Sequence, residues 1–258
     1  MSMAPTTLDV AAREALAELV LTVADDEFVI GFWDSEWTGI APMLEEDVAT
    51  SSIAQDEIGH SRALYELLAE LTDDDADRIA YGRAPEEFRH AALLNHARGD
   101  WAFSVARRYL YETADAVRLA AIASSSHEPL AALAGKMRLE ETYHLLHADA
   151  WLRRLAEAGP EIRERLATTL RTLWPDAHEL FAPLAGEDVL VRDGLLPQPM
   201  AALHAQWLQQ VRPAVEPITG QLPDGSPSMD GRQRRTEDFT WLHGEFTSVT
   251  RSEAGAMW

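Results

Sequence analysis

The chain has 258 residues, 47% of them hydrophobic, with 43 acidic and 22 basic side chains and a formal net charge of −21. That is enough apolar material for one large domain, or for a core domain with an appendage, while the charge repels phosphate backbones and argues against nucleic acid as a partner. The absence of cysteine removes disulfides, thiolate nucleophiles, iron–sulfur clusters and zinc–thiolate sites, and leaves oxygen and nitrogen ligands for any metal.

No run of about 20 apolar residues occurs, so no membrane span is expected. The opening MSMAPTTLDVAAREA lacks the basic-then-apolar order of a secretory signal. A cytoplasmic location is the resulting expectation.

Leu16, Leu19, Val20, Val23, Phe28, Ile30 and Trp33 recur at helical spacing and predict a first helix over 8–38, with Thr6 or Thr7 as its cap. Gly39 to Pro42 punctuates it. A second helix is expected over 43–71, with Ile53, Leu64, Leu67 and Leu68 on one side. Residues 72–88, TDDDADRIAYGRAPEEF, read as an acidic loop with a short turn. A third helix is expected over 90–123 and is broken by SSSHEP; a fourth over 128–158 ends at Gly159-Pro160. More helix is expected over 161–184, where Pro175 interrupts or opens a segment, and over 198–212. Residues 213–233 read as loop, and a last helix covers 236–252. No stretch alternates with period 2, and no repeat of solenoid length is present. The fold class is therefore all-α: an up-down four-helix bundle over 1–159, with additional C-terminal helices over 160–258 packed on it.

The motif QDEIGH at 55–60 places Glu57 and His60 on one helical face. A second Glu-x-x-His, Glu141 to His144, lies in the fourth helix. A di-metal carboxylate bundle needs two such motifs and one Glu from each remaining helix. In an antiparallel hairpin, residues at one level are equidistant from the turn. Glu27 and Glu57 have their midpoint at 42, inside GIAP, and Glu112 and Glu141 at 126–127, inside SSSHEP. Two hairpins thus pair a lone Glu with a Glu-x-x-His at matching depth. Glu27 and Glu112 also sit among apolar residues, where an unpaired carboxylate is costly.

The candidate ligands are Glu27, Glu57, His60, Glu112, Glu141 and His144, a set suited to two ions of the iron or manganese type. Asp26 and Asp115 lie close by and can substitute in it. Six helix residues that align without a metal are the bland alternative. Glu45, Glu46 and Glu140 read as mainly surface or outer groups, and His147 as a residue behind His144. His90, His96, His127, His178, His204 and His243 show no paired spacing and read as surface or satisfied core. Trp33, Trp37, Trp101 and Trp151 read most simply as packing, with an aromatic substrate pocket as the alternative. Arg107-Arg108, Arg153-Arg154 and Arg232 to Arg235 read as solvated helix or loop residues. Any of them can supply the local patch that a coenzyme A ligand requires.

With these residues placed, the chain resembles the C-subunit family of the ring 1,2-phenylacetyl-CoA epoxidase, the multicomponent phenylacetate-degradation oxygenase. The resemblance lies in DSEWTGIAP at 34–42 and LEED at 44–47, and in Arg107-Arg108-Tyr109, Tyr143-His144, WLRRL at 151–155, Leu173-Trp174, Thr236-Glu237 and Trp258. It implies a ferritin-like fold and a homo- or hetero-oligomer with a homologous partner. In that complex the di-iron centre lies in the A subunit, whereas the C subunit is a structural partner with a degraded ligand set. Here all six positions are filled, and QDEIGH looks like the catalytic partner's motif.

The chemistry implied is insertion of one O2-derived oxygen atom into an aromatic acyl-CoA, giving an epoxide. Two irons (or manganese) would be the cofactor, with Glu57 and Glu141 bridging, and Glu27, Glu112, His60 and His144 terminal. Electrons would come from a separate reductase, since the chain has neither cysteine nor a Gly-rich dinucleotide fingerprint. The rival expectations are a metal-free protein of structural or assembly role within that complex, a related ferritin-like di-iron oxygenase acting on another substrate, and an iron-storage or ferroxidase protein. Residues 160–258, which a small ferritin would not need, argue instead for an interface with a partner.

Overall fold

The computed structural model describes residues 8–228 and 230–252; Thr6, Thr7 and Trp258, singled out above, lie outside them. Ten α-helices and no strand occur among the described residues, an all-α, ferritin-like architecture.

The first hairpin pairs α1 (Val10–Ser35) with α2 (Leu44–Thr72), and the second pairs α4 (Trp101–Ile122) with α5 (Glu128–Glu157). Asp9 caps α1, its carboxylate accepting from the Ala12 amide at 2.8 Å. The helix ends at Ser35, short of the expected 38, because residues 36–41 close into tight turns with Gly39 at φ +83°. Residues 22–31 of α1 are buried without a break, so this helix has no solvent-exposed face at mid-height. Gly31 lets α2 approach there: a Cβ would lie 2.9 Å from Ile58 Cγ1 and 3.0 Å from Glu57 Cβ. The chain then crosses over through residues 73–100, which include the short α3 (Ala76–Tyr81). This returns it to the end of the bundle where α1 finishes, and there the Trp37 indole donates to Ser104 Oγ at 2.8 Å. Helices α2 and α4 therefore run the same way, and one long crossover joins two antiparallel hairpins.

The third long helix starts eleven residues later than the expected 90. Residues 90–100 instead form a buried 3₁₀ turn at Ala92–Asn95, whose Leu94 carbonyl accepts from the Trp33 indole at 2.9 Å. Gly99 at φ +69° and the Asp100 cap then launch α4.

Beyond Gly159 lie α6 (Pro160–Ala177), a 3₁₀ turn at His178–Phe181, α7 (Glu187–Arg192), α8 (Met200–Thr219), α9 (Glu237–Phe246) and α10 (Ser248–Ser252). Helix α6 carries Pro175 in its last turn. Helix α8 runs through Pro213 and Pro217, where loop was expected. Val211 and Val215 are fully buried against the rest of the core, and burial outweighs the missing amide donors. Helices α6 and α8 both pack on α4, and their apolar faces join the cluster that fills the bundle.

Arg107, Arg108 and Arg232 are buried, contrary to the sequence reading, whereas Arg234 is exposed and Arg235 half-buried. Arg107 is fully enclosed and donates to the His96 carbonyl at 2.9 Å, and burial lowers its pKa to about 9. Arg108 enters the centre of the bundle. Arg232 reaches α1, where Nη1 and Nη2 donate to the two carboxylate oxygens of Asp26 at 3.0 Å each. It also donates to the carbonyls of Arg89 and Leu180, at 2.9 and 3.0 Å. Arg153 and Arg154 remain exposed, as expected.

Arg232→Met leaves these carbonyls and part of the Asp26 carboxylate unsatisfied. It is expected to lower the urea-unfolding free energy by about 3 kcal/mol. A loss below about 0.5 kcal/mol, the level of an ordinary surface change, would show that the 220–235 segment is not anchored this way.

Candidate metal centre

Residues 25–27 of α1 are three consecutive acids, all fully buried. Successive helical positions point about 100° apart, so each meets a different environment. Asp25 accepts from Tyr65 Oη at 2.6 Å and from Arg83 Nη1 at 3.0 Å. Asp26 is held by Arg118 and Arg232, which outweigh the burial cost and keep its carboxyl below the usual range. Only Glu27 faces the interior of the bundle. Asp115, the other proposed substitute ligand, is likewise turned to Arg118, whose Nη2 donates to it at 2.8 Å. Neither aspartate joins the cluster, because each already has an arginine.

The structure brings all six candidate residues together. Glu27, Glu57, His60 and Glu141 each offer a ligand atom within 4.8 Å of the others, and so do Glu57, Glu112, Glu141 and His144. The two groups share Glu57 and Glu141. His60 Nδ1 lies 3.1 Å from Glu27 Oε2 and 3.2 Å from Glu141 Oε1. His144 Nδ1 lies 3.3 Å from Glu141 Oε1 and 3.5 Å from Glu57 Oε1. Both imidazoles thus present the same nitrogen inward. Glu57 Oε2, Glu112 Oε2, both oxygens of Glu141 and His144 Nδ1 are buried without a hydrogen-bond partner. Unpaired ligand atoms converging in a dry site, from carboxylates and imidazoles, fit divalent ions of the iron or manganese type.

The outer nitrogens are fixed from across the α2–α5 interface. His60 Nε2 meets Glu140 at 2.7 Å and His144 Nε2 meets Asp56 at 3.2 Å. Each outer acid directly precedes the Glu of one Glu-x-x-His and serves the histidine of the other. A carboxylate there holds the ring orientation and leaves Nδ1 for a metal. Asp56 was missed in the sequence, where its signal is the repeated acid-Glu-x-x-His pattern. His147, expected behind His144, instead pairs with Glu46 at 2.7 Å.

Three more residues enter the site without having been expected. Tyr111 Oη donates to Glu27 Oε1 at 2.8 Å. Arg108 Nη1 donates to Glu57 Oε1 at 3.1 Å and to Glu112 Oε1, and Nη2 pairs with the buried Asp34. The sequence signal for Arg108 was its position four residues before Glu112, on the same helical face.

Proton affinities follow from this crowding. Burial first, then Glu141, Glu27 and Glu112, raise the Glu57 carboxyl well above its ordinary range. Burial and Glu141 do the same to Glu112, with Arg108 opposing. Burial works against ionisation of Glu141, but His144 and His60 outweigh it and hold that carboxyl low. Burial also opposes a charged His60, yet the adjoining Glu141 and Glu27 carboxylates push its pKa up to about 11.

The chain matches, over residues 1–258, the family described as phenylacetic acid catabolic protein, and it belongs to that family. It is 26% identical over 246 residues to the C subunit of 1,2-phenylacetyl-CoA epoxidase from Escherichia coli (strain K12), covering 94% of this chain and 99% of the relative. It is 24% identical over 176 residues to the A subunit of the same epoxidase, covering 67% of this chain and 56% of that one. Among the described residues no helix is long and apolar enough to cross a membrane.

A carboxyl whose pKa is raised on folding stabilises fully below its unfolded value, about 4.3, and loses that contribution as pH rises. Glu57→Gln removes this penalty. In chelator-treated protein near pH 7.5, urea unfolding is expected to show the variant about 1–2 kcal/mol more stable than the parent, with the gap closing toward pH 5. Equal stability at both pH values would mean that Glu57 ionises as an ordinary carboxylate.

Proposed function

We propose that this chain, as a member of the phenylacetic acid catabolic family, is an oxygenase subunit whose centre of two divalent ions is held by Glu27, Glu57, His60, Glu112, Glu141 and His144. The observation that carries this reading is the pair of ligand groups sharing Glu57 and Glu141. Those two residues would serve both ions, with Glu27 and His60 completing one group and Glu112 and His144 the other. Four carboxylates balance two divalent charges, which makes their burial tolerable. After the activity in its relatives' name, the substrate is an aromatic acyl-CoA, phenylacetyl-CoA, and the product a ring epoxide. Two iron ions, for which manganese has similar ligand chemistry, would supply O2 activation when bound.

The chain's own residues orient and desolvate. Glu140 and Asp56 hold the imidazoles in register. Tyr111 fixes one oxygen of Glu27 and holds a phenolic proton there; burial and then Glu27 raise its pKa well above the ordinary value. Glu27, Glu57 and Glu112 are at most 1% exposed, so bulk water is excluded around them. A recess lined by Trp37, Trp101, Trp151, His147 and Arg108 lies between the site and the Trp37 end of the bundle. Its volume of about 20 Å³ has room for about one water, so an aryl ring enters only if these side chains move.

Electrons come from a separate reductase, and a homologous protein is the natural partner. Leu139, Tyr143 and Leu146, exposed at helical spacing on α5, supply an apolar stripe for it. One observation favours a second reading, a metal-free scaffold: the Arg108 guanidinium already gives Glu57 and Glu112 a positive partner.

Elemental analysis of protein purified without chelator separates the two readings. About two irons or manganese per chain, lost in a Glu57→Ala, Glu141→Ala variant, is the expected result. No metal in either protein, with the variant as stable as its parent, would leave the scaffold. Asp56→Ala and Glu140→Ala are each expected to weaken Mn2+ binding about 10–100-fold in calorimetric titration.

A further inference from the structure

The two ligand groups are not equivalent. The group of Glu27, Glu57, His60 and Glu141 is fully buried, and among the described residues no arginine or lysine pairs with Glu27 or Glu141. The group of Glu57, Glu112, Glu141 and His144 contains a cation of the chain's own. Arg108, itself 6% exposed, donates from Nη1 to Glu57 Oε1 at 3.1 Å and to Glu112 Oε1. Through Nη2 the same guanidinium pairs with Asp34 on α1, a carboxylate 2% exposed. Asp34 offers no ligand atom to either group. It lies seven residues beyond Glu27, about two turns toward the Trp37 end of the bundle, and Asp34 and Arg108 both line the recess there.

We propose that Arg108 is a built-in competitor for the second metal ion, with Asp34 as the anchor to which it withdraws. This rests on the dinuclear reading of the site. An ion at the Glu27–His60 side meets Glu57 through Oε2, which Arg108 does not hold. An ion at the Glu112–His144 side meets Glu57 Oε1, which lies 3.5 Å from His144 Nδ1 and 3.1 Å from Arg108 Nη1, and Glu112, whose Oε1 the same guanidinium holds while Oε2 is free. With Arg108 turned inward, its guanidinium takes the place of the second divalent charge beside Glu57 and Glu112. With Arg108 on Asp34 alone, that pair is neutral and two divalent ions balance four carboxylates. The lining of the recess moves with this exchange, since Arg108 forms part of its wall. Filling the second position therefore reshapes the entrance beside it.

Hydrogen bonds to charged groups are strong enough that displacing them separates the two ion affinities by about 10–100-fold. The test is a titration of chelator-treated full-length protein with Mn2+, followed by calorimetry and by electron paramagnetic resonance. The parent is expected to show a tight first ion with the six-line spectrum of isolated Mn2+. A second ion follows about 10–100-fold more weakly, with exchange broadening only then.

Arg108→Met is expected to bring the second affinity close to the first, with coupled spectra appearing from the earliest additions. Asp34→Asn acts in the opposite direction, because Arg108 then has only inward partners and the second ion weakens further while the first is unchanged. A merely structural role for these residues would weaken both ions together in both variants, and that result overturns the proposal. Two equal ions in the parent, unaltered in Arg108→Met, would also overturn it while leaving the dinuclear site standing. No Mn2+ bound by the parent or either variant, all of them folded by circular dichroism, sinks both.

Discussion

Four carboxylates buried at one level of a helical bundle set the terms for the rest of this structure. Isolated charges of that kind are not tolerated in a dry interior. The chain meets the cost with positive groups and with protons. His60 and His144 lie between the carboxylates, Arg108 reaches in from α4, and burial keeps Glu57 and Glu112 hard to ionise. The same arrangement that strains the protein by itself is the one that divalent ions would relieve. Stability and a metal site are linked here by charge rather than by shape alone.

A second layer of acids surrounds the first and is held by arginines. Asp25, Asp26 and Asp115 adjoin the cluster, and each ionised form would add to its repulsion. Arg83 holds Asp25, Arg118 spans Asp26 and Asp115, and Arg232 comes from the C-terminal segment to close on Asp26. The residues after Gly159 therefore have a role inside the molecule. They supply a cation that the middle of α1 requires, and they cover α4 with the apolar faces of α6 and α8.

Helix geometry turns this chemistry into a defined site. Gly31 allows α1 and α2 to approach at the level of Glu57. The crossover over 73–100 places α4 beside α1 with its start at the Trp37 end, which puts Arg108 within reach of Asp34 and Glu57 together. Asp56 and Glu140 sit on the outer face of α2 and α5 and reach across to each other's histidines. None of these placements would survive a shift of one helical turn.

Read alone, the sequence determined the helical class, the two hairpins and the level at which Glu27, Glu57, Glu112 and Glu141 would meet. These follow from periodicity and from distances to a turn, which are local and additive along the chain. Tertiary structure decided what depended on contact across helices. Asp26 and Asp115 looked able to substitute in the ligand set until arginines claimed them, Arg118 and Arg232 from far away in sequence for Asp26 and Arg118 from one turn on for Asp115. Arg108 and Arg232 looked solvated because an arginine's neighbours, and not its type, fix its burial. The length of α8 through Pro213 and Pro217 was likewise hidden, since local propensity forbids what burial of Val211 and Val215 enforces. Charge partners and burial are properties of the packed molecule, and only packing could assign them.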